Sequence, residues 1–168
     1  MVIKKSRLHR SLHQDMSQRD KIPVSRISHD HQHGLVMSQR ILDAVDNEST
    51  DFSALSAQII QFFDDYMVPH FATEENDLFS AIEQELGPLA AVKELVAEHH
   101  AMRMQVTRFR VPGLEIGRRE VEEFARNLER HIFKEESLFS SVSQQAKDKG
   151  RIGTVVIELQ SQEARTKE

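Results

Sequence analysis

Cysteine is absent from the sequence. That excludes disulfides, thiolate catalysis, iron–sulfur clusters and cysteine-based zinc sites together. There is no N-terminal signal pattern and no long apolar run, which points away from a membrane and toward a soluble, cytoplasmic protein. Strand-like alternation is nearly absent as well. The one stretch that has it, TVVIEL at residues 154–159, reads equally well as a short helix. The formal net charge of -5 gives no reason to expect a nucleic-acid partner. What the chain does have is histidine: nine in 168 residues, and clustered. With no thiolates to share the work, imidazole and carboxylate are the available metal ligands.

The length suits one domain large enough to bury a core. Four segments carry helical periodicity, at about residues 27–46, 52–85, 89–110 and 118–147. The stretch DNESTDF separates the first two, with Asp51 or Ser53 placed to cap the second helix. LGP at 86–88 is a stop-and-restart signal, VPGLEIG at 111–117 precedes the fourth helix, and Gly150 and Gly153 end it. The expected fold is all-α, an up-down-up-down antiparallel four-helix bundle over residues 23–149. A polar, largely basic N-terminal arm (1–22) and a short C-terminal extension (150–168) flank it. Pro69 falls inside the second helix, where it should kink the helix and free a carbonyl.

Two near-copies of one motif stand out: HFATEE from His70 and HIFKEE from His131, each running on to Leu-Phe-Ser. Core-facing positions on a packed helix repeat in alternating steps of three and four. On the fourth helix that seam reads Val121, Phe124, Leu128, His131, Glu135, Leu138, Val142. On the third it reads Val92, Leu95, His99, Met102, Val106, Phe109, with His100 one step off. On the first it reads Ile27, His31, Leu35, Ser38, Leu42, Val45, with His29 and His33 off the line. On the second it reads Ile60, Phe63, Met67, His70, Glu74, then Asp77 or Leu78. Counting residues from each turn places the four seam histidines in one layer, within about a turn or two of one another.

Burying four imidazoles and two carboxylates in one layer costs several kcal/mol for each carboxylate unless something satisfies them. Two divalent cations would. Each takes two imidazole nitrogens, Glu74 and Glu135 are shared, and room remains for a small exogenous ligand. The candidate metal ligands are therefore His31, His70, Glu74, His99, His131 and Glu135. This donor set suits two iron ions, with zinc or manganese as alternatives. The His-x-x-x-Glu spacing puts both ligands on one helix face, one turn apart. Glu75 and Glu136, the second Glu of each copy, read as solvated helix surface. Tyr66, the only tyrosine, reads as packing at the core edge.

On these motifs the sequence resembles the hemerythrin-like family, the HHE cation-binding domains, over about residues 22–145. SHDHQHGLVMSQRI is similar to the family's first-helix motif, with its ligand position at His31. VPHFATEENDLF resembles the second, giving His70 and Glu74, proline included. EHHAMR resembles the third, at His99, and HIFKEESLF the fourth, at His131 and Glu135. The resemblance implies a four-helix bundle around a non-haem di-iron centre. Oxygen-carrying members have a further histidine four residues after the third-helix ligand; here that position is Arg103. The four-His, two-Glu set is closer to bacterial di-iron proteins implicated in repair of damaged iron centres. Those often carry an added Cys-bearing segment, and this sequence has no cysteine.

The expected function is binding or sensing of a small diatomic ligand, oxygen or nitric oxide, or of iron itself. The alternatives are a di-iron redox enzyme or iron-donating repair factor, and an interaction module with a structural metal. No catalytic acid–base pair beyond the ligand set is visible. Some homo-oligomerisation is expected, because the apolar face of TVVIEL needs cover.

Overall fold

The structure, a computed structural model, describes the backbone of residues 24–148 and the side chains of 27–145. Residues read as the N-terminal arm and the TVVIEL segment lie outside those described. Helix α1 is Val24–Val45, α2 covers residues 52–86, α3 is Ala90–Phe109 and α4 is Arg118–Asp148. Short turns join them, so successive helices run antiparallel and form a four-helix bundle. Each turn has a local cause. Asp51 caps α2 by accepting from the Ala54 N–H at 3.0 Å. Gly87 ends α2 with φ 83, in a region where a side chain would be strained, and Pro88 prevents continuation. Glu120 reaches back to the Gly117 N–H at the start of α4. No described helix is long and apolar enough to cross a membrane.

The α3 seam is buried at every position read from the sequence. On α4, Phe139 takes the buried place and Leu138 sits at its edge. On α1 Ile27 and Val45 are buried as read, but the apolar positions buried between them are Met37 and Ile41, with Leu35 and Leu42 only partly buried. The shift follows from how closely α1 packs on α4: a Cβ on Gly34 would come within 2.6 Å of Ile132 Cδ1.

Helix α2 departs from the expected continuous α-helix with a kink. It holds two π-helical turns, Phe63–Met67 and Glu74–Leu78. Leu55, Ile59, Phe63, Met67 and Phe71 are all buried, although each is four residues from the last. A step of four overshoots an α-helical turn by about 40°. By Ile82 the excess would reach roughly half a turn. The two π turns, each taking in one additional residue, absorb it. The first lies just before Pro69, so the backbone is already widened where the proline removes a donor. The second begins at Glu74.

The apolar core is split in two. One cluster contains Met37, Ile41, Phe63, Phe71, Val106, Phe124, Leu128 and their neighbours. The other contains Ile27, Leu78, Phe79, Ile82, Val92, Leu95, Phe139 and Val142. Between them on every helix comes a polar residue or pair: His31 on α1, His70 and Glu74 on α2, His99 on α3, His131 and Glu135 on α4.

Candidate metal centre

These six side chains form one layer closed above and below by hydrocarbon. None is more than 3% exposed. They fall into two overlapping groups, His31, His70, Glu74 and Glu135, and Glu74, His99, His131 and Glu135. In each group one potential ligand atom per residue lies within 4.8 Å of all the others. Both carboxylates belong to both groups.

All four imidazoles turn Nε2 inward. His131 Nε2 lies 2.9 Å and His99 Nε2 3.3 Å from Glu135 Oε1. His70 and His99 Nε2 each lie 3.4 Å from Glu74 Oε2. His31 Nε2 is 3.0 Å from Glu135 Oε2, an ion-pair distance without hydrogen-bond geometry. Both oxygens of Glu74, one of Glu135 and His31 Nε2 are buried with no hydrogen-bond partner. The Nε2 atoms of His99 and His131 face each other at 3.0 Å. Acceptors without donors, converging at full burial, are what a cation would satisfy. The donor set of imidazole nitrogen and carboxylate oxygen fits iron, zinc or manganese.

The outward nitrogens meet a second set of acids. His31 Nδ1 lies 2.6 Å from Glu136, His99 Nδ1 2.7 Å from Glu75, and His131 Nδ1 3.0 Å from Glu98. His70 Nδ1 lies 3.6 Å from Asp30. Each helix thus carries one acid facing the histidine of the next: α1 toward α2, α2 toward α3, α3 toward α4, and α4 back to α1. Glu75 and Glu136 are therefore not plain solvated surface, which corrects the expectation for them. Glu136 is 53% exposed yet reaches His31. Glu75 accepts from Arg103 as well as from His99. Lys134 pairs with Glu98 and Glu94. Sequence reasoning passed over Asp30 and Glu98 altogether. The signal was there: each of the four acids is one position from a buried ligand candidate.

Aromatic rings fix the imidazoles further. Phe71 stacks on His99 at 3.8 Å between centroids, and Phe79 lies nearly parallel to it at 5.9 Å. Phe139 stacks over His31. Arg103, where the resemblance would put a fifth histidine, lies over Phe71 and anchors Glu75. The remaining histidines among the described residues stay outside. His100 is exposed, and His29 and His33 lie near each other at the surface, His33 stacked on Tyr66. Tyr66 stacks on Phe62 as well and packs at the core edge.

The electrostatics follow from this crowding. Burial alone would lower the His31 pKa; Glu135, Glu136 and Glu74 outweigh it and raise it to about 11. For His99, burial is likewise overcome by Glu135 and Glu74, which raise it to about 9. Burial would raise the Glu135 pKa, but the imidazoles of His131, His31, His70 and His99 hold it well below the usual carboxylate range. Glu75 and Glu98 are lowered against burial, the first by Arg103 and His99, the second by Lys134 and His131.

Compared with known families, residues 9–141 match the model of the hemerythrin HHE cation binding domain. Comparison with curated proteins and with solved structures gives no match.

Proposed function

The chain belongs to the hemerythrin HHE cation-binding family, and from that premise we propose a non-haem di-iron protein that binds or senses a small ligand, oxygen or nitric oxide, or iron itself. The observation that carries this reading is the pair of interlocking two-His, two-Glu groups sharing both carboxylates. His31 and His70 would hold one ion and His99 and His131 the other, with Glu74 and Glu135 common to both. Bound iron supplies a redox-active Lewis acid with affinity for diatomic ligands.

The chain's own residues do the rest. Glu136, Glu75 and Glu98 hold the Nδ1 atoms of His31, His99 and His131 so that their Nε2 atoms face the centre. Phe71, Phe79 and Phe139 restrict ring rotation. The apolar layers on either side keep bulk water away, which favours a small uncharged ligand over a polar one.

The test is metal analysis of the natively purified protein, followed by absorption spectra with and without nitric oxide and oxygen. Two irons per chain and a spectral response to one of the gases are expected. A protein that holds iron with a spectrum indifferent to both gases sinks the sensing reading.

A further inference from the structure

Resting on the two-cation reading above, we propose that the two metal positions are inequivalent: the His99/His131 position retains its ion and the His31/His70 position exchanges it. Glu74 and Glu135 serve both positions, so any difference must come from the histidines and what stands behind them.

Behind His99 and His131 the support is complete and anchored. Glu75 and Glu98 hold their Nδ1 atoms at 2.7 and 3.0 Å. Each of these carboxylates is itself fixed by a cation, Glu75 by Arg103 at 2.8 Å and Glu98 by Lys134. Both carboxylates are mostly buried, at 28% and 26% exposure. His99 also lies between the rings of Phe71 and Phe79.

Behind His31 and His70 the support is weaker. Glu136 reaches His31 at 2.6 Å but is 53% exposed, so water competes for its oxygens. Nδ1 of His70 is buried with no hydrogen-bond partner, and Asp30 stands at 3.6 Å. An imidazole whose far nitrogen is held by a fixed carboxylate keeps the tautomer and orientation that a metal needs. Losing such a partner typically costs about 10–100-fold in metal affinity. Two hydrogen-bonded partners on one side, each paired with a cation, against one exposed partner and one at 3.6 Å on the other, favour the His99/His131 position by at least about tenfold.

The test uses the full chain loaded with zinc alone. Release to a chromophoric chelator is followed by stopped-flow absorbance, with total zinc per chain measured beforehand. Two phases of equal amplitude are expected, separated by about tenfold or more in rate. Glu98→Gln and Glu75→Gln should each speed the slow phase by about tenfold and leave the fast one unchanged. Glu136→Gln should do the reverse. Lys134→Met should speed the slow phase and Lys134→Arg restore it. Melting curves of the metal-free variants serve as the control, since acids that only pack would move both phases together. Two zinc ions leaving in one phase, or Glu98→Gln speeding both phases equally, overturns the inequivalence alone. A chain that never takes more than one zinc overturns the two-cation reading beneath it.

Discussion

One oxygen of Glu75, on α2, accepts from both Arg103 and His99 Nδ1 of α3, at 2.8 and 2.7 Å. A half-exposed guanidinium is thereby linked through one carboxylate to a fully buried imidazole. The centre is reached from the surface by such links, and its energetics should respond to substitutions at several depths.

At the deepest level, His131→Ala should cost metal and stability together. It removes an imidazole 2.9 Å from Glu135 and leaves that buried carboxylate short of a partner. Breaking a buried ionic pair on one side costs about 3–5 kcal/mol. Metal content should fall and the melting temperature drop, and His70→Ala should act in the same direction. Both variants keeping full occupancy and an unchanged melt would remove the ligand assignment.

Metal uptake should release protons. With pKa values raised to about 11 and about 9, His31 and His99 are protonated at neutral pH in the metal-free chain. A cation taking their Nε2 atoms must displace those protons, so affinity rises with pH up to that range. Metal-free stability runs the other way. Both folded values lie above the unfolded 6.5, so the contribution is complete below about 6.5 and is lost as pH rises through 9 and then 11. Glu135, depressed below 4.5, adds stability above that value that is lost under acid. Calorimetry of zinc binding in two buffers of different ionisation enthalpy counts the protons. Melts of the metal-free chain from pH 5 to 10 read the second effect.

Phe71→Ala should destabilise the fold by about 3–5 kcal/mol, because the ring is fully buried against Phe63 and both His99 and His131. Phe71→Leu keeps most of the volume and removes the stack on His99. It should lose less stability while loosening the metal, as urea melts and chelator competition together would show.

Asp51→Ala is the contrasting case. It removes the cap on the Ala54 N–H and should cost about 1 kcal/mol with metal content unchanged. A loss of metal at matched folding would mean that the capping turn and the centre are coupled.

Much of this was legible in the residue order. The three turns between helices fall within a few residues of where turn chemistry puts them. The α3 seam was readable whole, because a continuous α-helix obeys the three-and-four rule from Val92 to Phe109. On helix α2 Phe63, Met67, His70 and Glu74 are buried as read, Leu78 is the buried one of the two alternatives, and only Ile60 gives way, to Ile59; the register there is set by two π turns. Successive apolar steps of four from Leu55 to Phe71 were the available sign. The six histidines and carboxylates read as ligands come together in one layer. The acids behind them were less legible. Spacing along one helix says that Glu75 is a step off the seam, but whether it meets water or His99 depends on the neighbouring helix.

The acids that face the histidines also record the hand of the bundle. Asp30 and Glu98 stand one residue before a ligand candidate, on α1 and α3. Glu75 and Glu136 stand one residue after, on α2 and α4. Because neighbouring helices run in opposite directions, a step back on one and a step forward on the next turn in the same sense when seen from one end. All four carboxylates therefore point the same way round. Wound with the opposite hand, the same helices would aim each carboxylate at the wrong neighbour, and His31, His99 and His131 would lose their hydrogen-bonded acids at once. The ring thus distinguishes this bundle from its mirror topology, a distinction that apolar packing alone makes poorly.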